Sequence, residues 1–209
     1  MRVLFEDEYI VVAEKQRGLI SQEGNGKASM VDELKKQTGS EIFPVHRLDR
    51  EVGGVMVYAK TQKAAASLSA QVADRTMQKH YLAVVHGKPE THGAMEDLLF
   101  FDKGKNKSFV VKKERKGVKK AVLSYELIET KADKSLVEVL LHTGRTHQIR
   151  VQFASRKMPL CGDRRYGSKD EEKTIALWSY KLSFIHPVTK EKLIFELPPC
   201  DDEGFREFY

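Results

Sequence analysis

The chain has 209 residues, 41% of them hydrophobic and 32% charged, with a formal net charge of +6. That composition is that of a soluble globular protein with one sizeable core, and no apolar run approaches the ~18 residues that would read as a membrane span. The N-terminal Met1-Arg2-Val3-Leu4-Phe5-Glu6-Asp7 turns acidic too early for a signal peptide, and Cys161 and Cys200 form no spacing motif, so a cytoplasmic protein with free thiols is expected.

In chain order, Val3-Leu4-Phe5 and Ile10-Val11-Val12-Ala13 flank Glu6-Asp7-Glu8 and predict a β-hairpin. Gly18 to Lys27, with Gly24-Asn25-Gly26 inside it, predicts a loop. Ser29 is a candidate N-cap for a helix to about Lys36, with Met30, Val31 and Leu34 apolar at helical spacing and Gly39 as its stop. Phe43-Pro44-Val45 brings the chain extended into His46-Arg47-Leu48-Asp49-Arg50. Gly53-Gly54 predicts a tight bend before a strand over Val55–Ala59. Ala65, Leu68, Val72 and Ala73 predict an amphipathic helix from Gln62 to about Thr76, and Gln78–Gly87 reads as a strand.

Residues 101–120 hold nine Lys/Arg against Asp102 and Glu114, a net +7, so the other 189 residues net −1. A flexible basic loop meeting a polyanion and a solvated hairpin tip are both open readings. Ala121–Glu129 and Ser135–Leu141 alternate as an antiparallel hairpin turned by Thr130–Lys134. Gly144 breaks the strand, and Thr146 is placed to cap a helix to about Arg156 with Ile149 and Phe153 facing inward. Pro159–Gly167 is a second loop, and Leu182/Phe184 with Leu193/Phe195/Leu197 form a hairpin around His186-Pro187-Val188-Thr189. Helices interrupt strands without regular βαβ alternation. An α+β fold with a mostly antiparallel sheet is therefore expected, as one domain over residues 1–209.

Asp49 stands between Arg47 and Arg50, directly before an apolar strand. Neighbouring positive charge keeps a carboxylate ionised, and an ionised carboxylate serves as nucleophile, general base or electrostatic stabiliser. The bland alternative is a surface aspartate in a loop of mixed charge. Arg145 would be fixed between two regular elements, which suits a residue that holds a charge in place. A different reading makes His46, Asp49, His142, His147 and Asp163 ligands of a metal-dependent phosphodiesterase. His142 and His147 flank a glycine break and lack the i, i+4 pairing of two ligands on one helix face, so no metal is expected.

Several blocks together resemble the RluA-type RNA pseudouridine synthases. They are His46-Arg47-Leu48-Asp49 with its following strand to Ala59-Lys60-Thr61, then Lys79-x-Tyr81-Leu82-Ala83-Val84-Val85-x-Gly87. Leu141-x-Thr143-Gly144-Arg145-Thr146-His147-Gln148-Ile149-Arg150-Val151 is the most specific. Pro159-Leu160-x-Gly162-Asp163-x-x-Tyr166-Gly167 and Leu182-x-Phe184-x-His186-Pro187-x-Thr189 complete the set, in family order along nearly the whole chain. The resemblance implies a mixed sheet flanked by helices, with a central cleft and no cofactor. It implies isomerisation of uridine to pseudouridine in structured RNA, ribosomal or transfer, presented as a stem-loop. By matching position, Asp49 would be the catalytic aspartate, Tyr81 the cleft tyrosine and Arg145 the arginine paired with the aspartate. Arg47 would help hold the RNA with its target base turned out. His147, Gln148, Arg150 and Leu160 join Arg47 as candidate substrate-binding residues. For His147 the residues also allow a hydrogen-bonded support for Arg145, and for Arg150 either a phosphate contact or a solvated side chain. Monomer is the default state, and a catalytically silent RNA-binding protein of the same fold is the alternative. The chain departs from the family pattern at Val52-Gly53-Gly54, at Gln16 where proline is usual, and at Lys157 where glycine is common.

Overall fold

The structure is a computed structural model of residues 1–209, described here for all residues except Asn25 and Glu172. Asn25, the centre of the expected Gly24-Asn25-Gly26 loop, thus lies outside the described residues. The chain divides into two compact units, Met1–Lys79 with Ser179–Pro198, and His80–Trp178 with Pro199–Tyr209.

The first unit contains β1 (Val3–Glu6), β2 (Ile10–Lys15), α1 (Met30–Thr38), β3 (Phe43–Pro44), β4 (Gly53–Ala59) and α2 (Gln62–Ala73). In α1 the caps are as the sequence predicts. Ser29 is extended and its Oγ accepts the Asp32 N–H at 3.1 Å. Gly39 is left-handed at φ 66° and its N–H reaches the Lys35 carbonyl. Losing such an N-cap typically costs about 1 kcal/mol. The strands β1–β2 and β2–β4 pair antiparallel, and β4 is buried at every position. Gly54 makes no bend. It lies within β4 opposite Lys15 at φ 119°, where a Cβ would fall 2.2 Å from the Ser179 carbonyl oxygen, so only glycine admits the neighbouring backbone.

The second unit opens with β5 (Gln78–His86), β6 (His92–Asp102), β7 (Lys107–Val111), β8 (Val118–Lys131), β9 (Lys134–Leu141) and α3 (Gln148–Ser155). Its strands run in the order β5-β9-β8-β6-β7, each pair antiparallel. Strands β6 and β7 were not expected from the sequence. Asp97 breaks the apolar alternation of β6 between the buried Met95 and Leu99, yet it shares their face. It is admitted there because it accepts from Gln152 Nε2 at 2.7 Å and Arg156 Nη1 at 2.9 Å, both reaching back from the α3 end of the chain. Leu99, Ala121, Val151 and Tyr166 form a core cluster between sheet and helix.

The chain returns to the first unit through β10 (Leu177–Ile185) and β11 (Lys192–Glu196), the antiparallel hairpin expected, with Leu182 opposite Phe195 and Phe184 opposite Leu193. Its turn is built by His186, 2% exposed. The imidazole Nδ1 accepts the N–H groups of Val188 and Thr189, so the proton sits on Nε2 and is donated to Asp7 Oδ2 at 2.9 Å. The His-Pro-x-Thr block is thus a turn device tied to the first hairpin. Helix α2 docks on β10 through Gln71, whose amide both donates to and accepts from the Ile185 backbone at 2.8 Å. Among the described residues, three α-helices set among largely antiparallel strands make the fold α+β, as expected.

Candidate active site

Asp49 lies on a loop whose neighbours are pinned one after another. Lys15, at the end of β2, is 0% exposed, and its ammonium donates to the carbonyls of Gln16, Arg50 and Val52 at 3.2, 3.1 and 2.7 Å. Arg17 Nη1 donates to the Glu51 carbonyl, and Arg50 Nε donates to the Gly18 carbonyl at 2.9 Å. On the other side, the Leu48 N–H and carbonyl both meet Ser21 Oγ, at 3.0 and 2.9 Å, and Tyr58 holds the Ser21 carbonyl in turn. Asp49 itself is half-buried, and its carbonyl accepts the Val52 N–H at 3.0 Å. The result is a carboxylate carried on a backbone that has little freedom to move.

Burial is the main force on Lys15 and pulls its pKa down to about 8; Arg17 adds to this, while the charges of Glu51 and Asp49 oppose it. His46 is also enclosed. Its Nε2 accepts the Val57 N–H at 3.2 Å, and its buried Nδ1 has no hydrogen-bond partner among the described residues. Burial, helped by the Lys79 charge, lowers the His46 pKa to about 3, so the ring is neutral. Arg47 projects into solvent at the tip of the loop. Lys15, Ser21 and Tyr58 were not among the residues picked from the sequence. A lysine following Glu14 at the end of the apolar run Ile10–Ala13 was the available signal for the first of them.

In the second unit, Arg145 sits on the loop between β9 and α3, and its Nε donates to the Lys120 carbonyl at 2.9 Å. Gln148 holds this loop. Its Oε1 accepts from the Arg145 N–H at 3.0 Å and from Thr143 Oγ at 2.7 Å, and its Nε2 donates to the Val122 carbonyl at 3.1 Å. The expected substrate-binding Gln148 is therefore 3% exposed, with its amide spent on placing Arg145. Thr146 does not cap the helix. His147 occupies the N-cap position in the left-handed region at φ 54°, without a side-chain cap, and the Thr146 carbonyl accepts from Ser108 Oγ. The His147 ring packs edge-on against Phe101 and Tyr166, and its Nδ1 lies 3.0 Å from the Tyr166 hydroxyl.

Arg150 is neither solvated nor placed for phosphate. It is 4% exposed, and its Nε and Nη2 meet the two carboxylate oxygens of Asp163, 0% exposed, at 2.6 and 2.9 Å. The pair is a buried bidentate clamp between α3 and the 159–167 loop. Leu160 is likewise interior at 0% exposure, bridging antiparallel to Val85. Tyr81, on β5 opposite Val139, is 6% exposed. Lys157 takes φ 64°, a conformation that favours the glycine common at this position, so the lysine is held there against its backbone preference.

Four of the five residues weighed as metal ligands are engaged separately: His142 meets Ser124 at 3.0 Å, while His147, Asp163 and His46 have the partners given above. The one His/Cys/Asp/Glu cluster among the described residues is His86, Cys161 and Asp170. There a single oxygen, Asp170 Oδ2, already accepts from His86, the Gly162 N–H and Ser168 Oγ at 2.9, 2.8 and 2.6 Å. Burial pushes the Cys161 thiol up to about 12, so it is the small buried hydrophobe that the sequence suggests. No helix among the described residues is long and apolar enough to cross a membrane.

The family described as RNA pseudouridylate synthase matches residues 9–155. A ribosomal large subunit pseudouridine synthase D of Zymomonas mobilis is 31% identical over 217 residues, which span 94% of this chain and 68% of that protein. An uncharacterized RNA pseudouridine synthase of Aquifex aeolicus is 34% identical over 232 residues, spanning 100% of this chain and 72% of the other. In fold, the solved structure titled human RNA pseudouridylate synthase domain containing 4 shares a TM-score of 0.78 over 98% of this chain and 92% of its own, at 22% identity. The family match over most of the length, and relatives above 30% identity over 94% and 100% of this chain, place the chain in the RluA-type RNA pseudouridine synthases, which are isomerases.

Proposed function

We propose that the protein isomerises uridine to pseudouridine at one or a few positions of ribosomal RNA, with transfer RNA as a further substrate class. It would work in the cytoplasm as a monomer, with one catalytic domain and no metal or cofactor. The reaction breaks the C1′–N1 glycosidic bond, turns the uracil and joins C5 to C1′. The proton leaves C5 and N1 gains one, so atoms and electrons balance without an oxidant or a second substrate.

The observation that carries the reading is the loop at Asp49, where Lys15 and Ser21 hold the backbone on both sides of a half-buried carboxylate. Asp49 either attacks the nucleoside or takes a ribose proton. Arg145 keeps negative charge in place and stabilises the charge that develops on the detached uracil. Tyr81 offers a flat ring for the flipped base and a phenol for proton transfer, and base–aromatic stacking is worth about 1–3 kcal/mol. Arg47, exposed at the loop tip, helps hold the RNA with the base turned out. The substrate class is supported by the ribosomal names of the Zymomonas mobilis relative and its like.

The test is pseudouridine mapping of ribosomal and transfer RNA from cells with and without the gene, complemented by wild type or Asp49→Asn. A site lost on deletion and restored by wild type alone is the expected result. Restoration by Asp49→Asn would remove the aspartate from its role. Unchanged maps, together with no product from purified protein on unmodified transcripts, would favour the silent RNA-binding alternative.

A further inference from the structure

The basic segment is built as hairpin strands and their connections, with Lys103 and Lys105 in the β6–β7 turn and Lys112, Lys113, Arg115 and Lys116 exposed between β7 and β8. Residues 92–120 fold into β6, β7 and the start of β8, and they carry most of the chain's excess positive charge. Register places Phe100 directly opposite Phe109 on one side and Val118 on the other, so these side chains share one face of the three strands. The opposite face holds Leu99 and Ser108, buried against the core around Tyr166. Phe100 and Phe109 are half-buried, and what lies over them is cationic. The Arg115 guanidinium carbon stands 4.7 Å from the Phe100 ring centre, and Lys105 Nζ stands 5.9 Å from that of Phe109.

We propose that this face is a nucleobase-stacking platform, which takes an unpaired nucleotide of the RNA beside the one being modified. The proposal rests on folded RNA being the substrate and adds to it a requirement for unpaired bases. Two rings side by side with cations on them suit a base and its phosphate together. A ring face accepts any base, and a guanidinium plane is itself a stacking surface. The nine cations of residues 101–120 draw the phosphates in, whereas a protein partner would have to bury that charge. Along the strand the platform is also close to the Arg145 loop. Val118 lies two positions from Lys120, whose carbonyl holds Arg145.

The test compares two RNA probes of equal phosphate count, a hairpin with a uridine-rich loop and a fully paired duplex. Phe100→Leu/Phe109→Leu keeps the face apolar and removes the rings. It should weaken hairpin binding roughly ten- to hundred-fold, leave duplex binding and the salt slope unchanged, and regain affinity in Phe100→Tyr/Phe109→Tyr. Wild-type affinity for the hairpin in the leucine variant, or an equal loss on both probes, would overturn the platform. Should the leucine variant lose its thermal transition, wild-type protein decides instead. A photocrosslink from 5-iodouridine in the loop to Phe100 or Phe109 supports the platform, and crosslinks confined to other segments refute it. Pseudouridine formation is read separately on the same samples. Ring-dependent binding without product therefore counts against the catalytic reading and not against this one.

Discussion

Arg150 shows how far a residue's role can lie from its appearance in sequence. Two charges are removed from water and repay the cost only because guanidinium and carboxylate meet through two bonds, at 2.6 and 2.9 Å. Arg150→Met leaves Asp163 charged and enclosed, and should lower the unfolding free energy by about 3–5 kcal/mol in urea. The salt slope of RNA binding should stay as in wild type. A loss of stability below about 1 kcal/mol, the worth of a surface pair, would show that the clamp is ornamental. A slope that falls would return Arg150 to the phosphate contacts. Inside the block after Gly144 the arginine reads as an RNA contact, because its partner thirteen residues on is an unremarkable aspartate until the chain folds. Lys15 was overlooked for the same reason, since the carbonyls it holds belong to residues 50 and 52. Asp49 itself was legible, since its signature is contiguous and its neighbours carry charge.

Among the elements, the β9–α3 connection carries Arg145. It has no side-chain N-cap, and His147 holds a left-handed conformation that costs roughly 1–2 kcal/mol for a non-glycine residue. Gln148 offsets that by accepting from Thr143 and Arg145 and donating to Val122. Gln148→Leu takes the acceptor from the Arg145 N–H, while Thr143 Oγ still accepts the Val122 N–H and the Val122 carbonyl still accepts from His142 and Thr143. It should cost about 1–3 kcal/mol in stability and lower kcat on RNA at least roughly ten-fold with KM little changed. A change confined to KM would instead mark Gln148 as a substrate contact. Elements whose signals are local were predictable. Ser29 and Gly39 delimit α1 by their own chemistry, and the alternation of β9 declares its buried face. Strand β6 was not, because Asp97 occupies an inward position that is tolerated only once Gln152 and Arg156 reach it.

For the whole molecule, the consequence open to direct test is the response to acid. His46 stays neutral in the folded chain down to about pH 3, whereas in the unfolded chain it takes up a proton below about 6.5. Between those values the unfolded state binds more protons. The stability is therefore fully present above pH 6.5 and is lost as pH falls toward 3, by up to about 1.4 kcal/mol per pH unit. Urea unfolding of wild type and His46→Gln at a series of pH values should show a shallower acid limb in the variant. Parallel limbs would mean that His46 is protonated in the fold. By itself the amino-acid sequence determined the fold class, the order of most elements, the family and the position of Asp49. Each of these is written in contiguous patterns of apolar, charged and turn-forming residues, which act over a few positions. The partners of Lys15, Gln148 and Arg150, the strands that order the basic segment, and the pairing of Phe100 with Phe109 were decided by tertiary structure. They depend on which distant groups share a buried space, and there a charge or an amide is stable only when its bonds are met.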